Sequence, residues 1–260
     1  MIILRNIRVF ACEESFMTKI INAPIPFFDE RPIDKKVDTL IIHCCAFNAP
    51  EMLEVMKERK VSSHYIIEAS GKIYRPVSEK KRAWHAGISY WRGRDNLNHY
   101  SVGIELEART MGQDNYSQKQ INSLVVLARQ IIKHYQIPAC NVTAHSDVAP
   151  SRKPDPGKMF PWQYLAGKGI GLWYDIQDAD KIRENDVAKL LATIGYDVSD
   201  LAAASYAFCR HFIPQEIALC KSIEETIENV FPADYKLPEK YLPILKACAY
   251  KYGKFNNRHD

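Results

Sequence analysis

No stretch of this sequence approaches the roughly 20 consecutive apolar residues that a membrane-spanning helix needs, so no membrane span is expected. The N-terminal segment MIILRNIRVFACEES begins apolar, but Arg5 and Arg8 interrupt it before a signal-peptide core can form. A cytoplasmic location is therefore the expectation, with the periplasm or cell envelope as the alternative. The seven cysteines (Cys12, Cys44, Cys45, Cys140, Cys209, Cys220 and Cys248) are odd in number and scattered. They do not make a complete disulfide framework, which fits a reducing compartment. Internal repeats and low-complexity segments are also missing. The net charge is only +4, far short of a basic stripe, so no nucleic-acid partner is expected.

The charge that is present is unevenly spread. Residues 1–175 carry 24 Lys and Arg against 18 Asp and Glu, whereas residues 176–260 carry 11 against 13. A mildly basic first part suits an anionic small substrate or polymer, and equally an ordinary solvated surface. With 47% hydrophobic and 25% charged residues the composition is that of a soluble globular protein. A chain of 260 residues is expected to form one large or two unequal domains.

Prolines 24, 26 and 32 mark an irregular N-terminal arm. Leu40-Ile-Ile-His-Cys-Cys45 reads as a short buried strand that brings His43 to a sheet edge. Residues 50–60 read as a helix with Pro50 in its first turn. Residues 64–77 read as a hairpin turning at Ser70-Gly71. Residues 101–107 alternate, with Val102, Ile104 and Leu106 on one face and Gly103, Glu105 and Glu107 on the other. A glutamate beside a glycine on the non-core face is placed to look into a cleft.

Residues 117–135 form the strongest helix signal. Ser117 and Gln120 make a capping box, and Ile121, Leu124, Val125, Ala128, Ile131, Ile132 and Tyr135 recur on one face. Gly167-Lys-Gly-Ile-Gly171 follows no strand, so it reads as a turn rather than a nucleotide-binding loop. Beyond residue 175 only helix signals remain. One helix runs from Ile182 to Gly195 and a second spans 201–212. A third, capped by Ser222 and Glu225, runs to Val230, and a fourth spans 238–252. The fold expectation is an α/β domain over residues 1–175, with a central mixed sheet flanked by helices, and a small all-α domain over 176–260. The linker is placed near 174–180.

The segment Asn141 to Gly157, NVTAHSDVAPSRKPDPG, is polar and punctuated by proline. With His43, its His145 and Asp155 supply two imidazoles and a carboxylate, the ligand count of a catalytic zinc site with one open position. The plainer reading is two hydrogen-bonded histidines at strand ends. Cysteine–histidine catalysis from His43-Cys44-Cys45 is a further option. Consecutive strand residues face opposite ways, however, and adjacent cysteines in an apolar run usually serve as small buried hydrophobes.

Six blocks, in order, carry a resemblance over residues 37–165. They are Leu40-Ile-Ile-His43, Val61-Ser-Ser-His-Tyr65, Arg82-Ala-Trp-His-Ala-Gly87, Ser101-Val-Gly-Ile-Glu-Leu-Glu107, His145-Ser-Asp-Val-Ala-Pro150 and Arg152-Lys-Pro-Asp-Pro-Gly157. The chain resembles the zinc-dependent N-acetylmuramoyl-L-alanine amidases of the type 2 amidase family, which share a fold with peptidoglycan recognition proteins. Residues 160–173 and the helices after them, with Leu191-Ala-Thr-Ile-Gly-Tyr-Asp197 and Phe208-Cys-Arg-His-Phe212, resemble more loosely the branch with a C-terminal peptidoglycan-binding domain.

The resemblance implies one Zn2+ held by His43, His145 and Asp155, with Glu105 and Lys153 as catalytic residues. It also places Trp84, His85 and Asn98 at the substrate cleft and leaves His64 structural. The implied substrate is peptidoglycan or a soluble muropeptide, cut between N-acetylmuramic acid, or its 1,6-anhydro form, and L-alanine. The rival readings are a non-catalytic peptidoglycan receptor on the same fold and a cysteine-dependent amidohydrolase.

Overall fold

The computed structural model describes residues 19–218, 222–229 and 231–256. Cys12, Cys220 and Val230 lie outside them, with most of the N-terminal arm. The described chain opens with the short strands β1 (Ile20–Asn22) and β2 (Phe28–Glu30). Strand β3 (Thr39–Cys45), helix α1 (Ala49–Arg59) and the hairpin β4 (Tyr65–Ile67) and β5 (Ile73–Arg75) follow. Three short strands, β6 (Lys81–Ala83), β7 (Tyr90–Trp91) and β8 (Arg94–Asp95), lead to β9 (Ser101–Glu107). Next come α2 (Gln118–Tyr135), β10 (Val142–Ala144), α3 (His145–Val148) and α4 (Trp162–Gly167). The rest is helical: α5 (Val187–Ile194), α6 (Leu201–Phe212), α7 (Ile223–Ile227) and α8 (Leu242–Gly253). None of the described helices is long and apolar enough to cross a membrane.

Six strands form the central sheet in the order β1-β5-β4-β9-β3-β10. Its pairs are parallel except β4 with β5, so the sheet is mixed as expected. The strands inside the proline-marked arm are not foreshadowed by the sequence. Each has three residues, too few for a period, and its partner lies about fifty residues away: β1 pairs with β5, and β2 with β6. Strand β3 differs from expectation in another way. It lies between β9 and β10, so His43 is near the C-terminal end of an interior strand and not on a sheet edge.

Period-two alternation decides what each face of the sheet meets. Leu40, Ile42 and Cys44 of β3 and Val102, Ile104 and Leu106 of β9 pack in one core against Ile121, Leu124, Ala128 and Ile131 of α2. On the opposite face Ile66 meets Met52 and Met56 of α1, while Ile41 joins the core of the C-terminal helices. His43 and Glu105 project from that second face, between the two clusters.

Both early helices end as their sequences require. Asn48 and Glu51 form a capping box at the start of α1, and Lys60 closes it in a left-handed conformation. At α2, Ser117 accepts from the backbone of Gln120, but the reciprocal half of the predicted box is absent. The Gln120 amide instead donates to Ile67 O at 2.8 Å and Glu107 O at 3.0 Å. Buried carbonyls at strand ends need donors, and here they take the side chain that a local cap would use.

The segment treated as a linker contains a 3₁₀ turn, Ile176–Lys181. Its Asp178 pairs with Lys181 at 2.6 Å and with Lys251 of α8 at 3.4 Å. The helical region also shares one core with the first part of the chain, since Trp91, Leu97, Cys140 and Val148 pack with Leu190, Tyr196, Phe208 and Leu245. Helix α5 ends at Gly195 with φ of 134°, and Arg92 N donates to Gly195 O at 2.9 Å. A Cβ there would lie 2.4 Å from Arg92 Cγ, so this junction needs glycine.

Candidate metal centre and cleft

The register of β3 against β9 sets His43 beside Glu105 on the same face. Strand β10, parallel to β3 on its other side, ends at Ala144, and His145 opens α3 immediately after it. Ser146 N donates to Asp155 O at 2.9 Å, which folds the proline-rich loop back over the first turn of α3. The residues that the sequence separates by a hundred positions thus meet at the C-terminal ends of parallel strands, where open α/β sheets place their ligand sites.

His43 Nδ1 lies 2.9 Å from His145 Nδ1 and 3.4 Å from Asp155 Oδ2. His145 Nδ1 is 3.0 Å from the same oxygen. These separations are close to the edge, about 3.3 Å, of a tetrahedron with metal–ligand bonds near 2.0 Å. All three residues are buried, and they form a group that can hold a metal ion.

Hydrogen bonds on the far side of each ring decide which nitrogens carry protons. His145 Nε2 faces Ala86 O at 3.2 Å, and a carbonyl only accepts, so Nε2–H donates and the neutral ring has its lone pair at Nδ1. For His43 the chain is longer. Ser101 Oγ donates to Leu97 O at 2.6 Å and accepts from His85 Nε2–H at 3.2 Å. Neutral His85 therefore accepts at Nδ1 from His43 Nε2–H, at 3.0 Å, leaving His43 Nδ1 as a lone pair too. Burial first, then the facing His145, depresses His43 to a pKa of about 4, and burial with His43 nearby holds His85 well below its usual value, so both are neutral. Two lone pairs and a carboxylate aimed at one point repel unless a cation lies among them. The residues fit a metal.

Glu105 faces this group. Its pKa is pushed up to about 8, chiefly by burial and next by Asp155, with Lys153 opposing. Among the described residues its buried Oε2 has no hydrogen-bond partner, which leaves an acceptor available to a water molecule or substrate. Glu105, His145, Lys153, Asp155, Trp84 and His85 line a cleft of about 1220 Å³, whose far wall includes Leu53 and Met56 of α1.

The three residues assigned to the substrate cleft have different surroundings. Trp84 lines it, with its indole N–H donating to Asp29 at 2.7 Å. His85 borders it, but its two ring nitrogens are engaged by His43 and Ser101. Asn98 is buried, and its Oδ1 accepts from His85 N at 3.1 Å and Ala86 N at 2.8 Å, shaping the loop that presents Ala86 O. Asn98 supports the site from beneath. Burial raises the Cys44 thiol well above its ordinary value and Cys45 to about 12, which disfavours a thiolate nucleophile. His64, left structural by the sequence, is buried and accepts at Nδ1 from Gly103 N at 3.0 Å.

Gly103 and Asp147 are contributions that the motif residues alone do not reveal. A Cβ on Gly103 would lie 2.6 Å from the His85 ring, so this glycine makes room for the ring that orients His43. Its signal was visible as a glycine on the polar face of β9. Asp147, two residues after His145, is fully buried and reaches back to Ala144 N at 2.9 Å. Its only sequence cue is its place in the block His145-Ser-Asp-Val-Ala-Pro150.

A sequence model of the N-acetylmuramoyl-L-alanine amidases (Amidase_2) matches residues 33–158. The amidase AmiD of Escherichia coli is 38% identical over 209 residues, covering 69% of this chain and 76% of that protein. Its structure, solved with anhydro-N-acetylmuramic acid-L-Ala-D-gamma-Glu-L-Lys, superposes with a TM-score of 0.67 over 84% of this chain and 90% of that one. AmpDh3 of Pseudomonas aeruginosa, solved with an anhydromuramic pentapeptide, gives 0.66 at 32% identity, over 83% of this chain and 92% of that one. The 1,6-anhydro-N-acetylmuramyl-L-alanine amidase AmpD of Escherichia coli is 33% identical over 172 residues, covering 58% of this chain and 92% of that protein. Fold, site and relatives together define an amide hydrolase with a His-His-Asp corner that could hold a metal ion. The chain belongs to the N-acetylmuramoyl-L-alanine amidase family.

Proposed function

We propose that the protein is a zinc amidase that hydrolyses the bond between the lactyl group of N-acetylmuramic acid and L-alanine, and that soluble anhydro-muropeptides are its substrates. The observation that carries this reading is the convergence of His43, His145 and Asp155, with both outer imidazole nitrogens committed to protein acceptors, beside a Glu105 Oε2 that has no partner among the described residues. The choice of anhydro-muropeptide over polymer rests on the ligands bound by two similar enzymes.

His43, His145 and Asp155 would hold the Zn2+, which when bound acidifies a water and polarises the scissile carbonyl. Glu105, with a pKa near the working range, accepts a proton from the attacking water and passes it to the departing alanine nitrogen. Lys153, on the cleft wall, meets the negative charge that develops on the carbonyl oxygen. Trp84 supplies an apolar surface for the substrate. Residues 1–175 carry these groups, and residues 176–260 form the proposed second unit, resembling a peptidoglycan-binding module.

The test is metal content together with muropeptide turnover. His43→Ala and Asp155→Ala are each expected to lose zinc and activity, and full zinc occupancy in either would remove it from the ligand set. Glu105→Gln should retain zinc yet release L-alanyl peptide at least 100-fold more slowly. Near-normal turnover would take Glu105 out of the mechanism. A non-catalytic receptor would bind muropeptide without releasing peptide, and a cysteine amidase would resist chelators but not thiol reagents.

A further inference from the structure

Asp147 is a carboxylate with no exposure at all, and four donors surround it. Two are local: Thr143 Oγ1 and Ala144 N each reach Oδ2 at 2.9 Å. The other two come from the helical region. Tyr196, just beyond α5, donates its hydroxyl to Oδ1 at 2.7 Å, and His211 of α6 donates from Nδ1 to Oδ2 at 2.7 Å. Neither donor is free to wander. The His211 ring is stacked between Trp162 at 4.1 Å and Phe212 at 4.1 Å, and Tyr196 packs edge-on against Trp91 at 5.2 Å.

The location gives this cluster its consequence. Asp147 is in the first turn of α3, the turn that His145 opens. Hydrogen bonds to a buried carboxylate are among the stronger ones, and a lost donor leaves charge uncompensated. Removing a donor on the helical side would therefore allow the turn to relax, and His145 Nδ1 would shift against His43 and Asp155. Groups that orient metal ligands from behind commonly change metal affinity 10–100-fold.

We propose that Tyr196 and His211 are positioning residues of the metal centre, acting through Asp147 on the turn that carries His145. The helical region is then part of the metal site's support, whatever else it binds. This rests on the reading of His43, His145 and Asp155 as metal ligands. It makes residues 176–260 necessary for full metal affinity in this chain.

The experiment uses the full-length protein, stripped of metal and titrated with zinc against a chromophoric chelator. Tyr196→Phe keeps the ring and its packing and loses only the hydroxyl, so it is expected to fold and to bind zinc at least 10-fold more weakly. His211→Asn is expected to weaken binding to a similar degree, and the double variant by less than the product of the two, since both act on one carboxylate. Leu245→Val, in the same helical core but offering no hydrogen bond to Asp147, separates this role from general stability. It should lower the unfolding midpoint and leave zinc affinity unchanged. Wild-type affinity in Tyr196→Phe, or an equal loss in Leu245→Val, overturns the proposal while the metal reading stands. A wild-type protein that binds no zinc overturns both.

Discussion

At the scale of single residues, the site depends on side chains that never reach substrate. Its two imidazoles are oriented by protons on their far nitrogens, and those protons are fixed by carbonyls at the ends of two hydrogen-bond chains: Ala86 O for His145, and Leu97 O through Ser101 and His85 for His43. The chain through His85 requires Gly103 to have no side chain. Gly103→Ala is expected to displace the His85 ring, weaken zinc binding about 10-fold or more and lower kcat/KM in proportion. Chelator competition with steady-state kinetics on the same sample checks this. Unchanged values would mean that the ring has room to turn aside at no cost. The identity of the ligand candidates was legible in the sequence because His, Asp, Glu and Lys recur in a recognisable order of blocks. Their tautomers were not legible, since the deciding acceptors lie on loops 40 to 60 residues away.

At the scale of elements, local periodicity did well where it had length to work with. The helix at 117–135 and the strand at 101–107 have the faces that their patterns imply, because every second or every third to fourth residue must find the core. The capping box at Ser117 shows the limit of local reasoning, since Gln120 answers to strand ends β4 and β9 and not to its own helix. Gln120→Ala is expected to leave two buried carbonyls without their donor and to cost about 2 kcal/mol of stability, read from denaturant midpoints. Zinc content should not change. If the variant unfolds at the wild-type midpoint, the two bonds contribute nothing net. Three-residue strands such as β1 and β2 escaped the sequence reading for a related reason. Their stability comes from a partner and not from their own composition.

At the scale of the whole molecule, one buried histidine ties distant parts together and makes stability depend on pH. His64 accepts from Gly103 N of β9 and donates through Nε2 to Lys81 O, with Arg31 of the N-terminal arm beside it. Burial, followed by the Arg31 charge, lowers its pKa to about 3. An unfolded chain takes up this proton near pH 6.5, while the folded one does so only near pH 3. The stabilisation is therefore complete above pH 6.5 and is lost progressively as pH falls toward 3. His64→Asn should be less stable than the wild type at pH 7, yet lose less stability between pH 6.5 and 4. Denaturant unfolding at a series of pH values measures the slope, and an identical slope in the variant would assign the acid limb to other groups.

The sequence by itself determined the longest helices and strands, the face of each that turns inward, and the residue types available for chemistry, because those properties are written within spans of a few residues. The helix read from Ile182 begins only at Val187, and α3 and α4 were too short to show a period. Tertiary structure decided the rest. It brought His43, His145 and Asp155 within 3.4 Å of one another. That closeness follows from the parallel register of β9, β3 and β10 and from one backbone bond folding a loop back on α3. It also placed Tyr196 and His211 against Asp147, so that the helical region supports the metal site from behind. Such contacts join residues 49 and 64 positions apart, a separation at which no local pattern carries information.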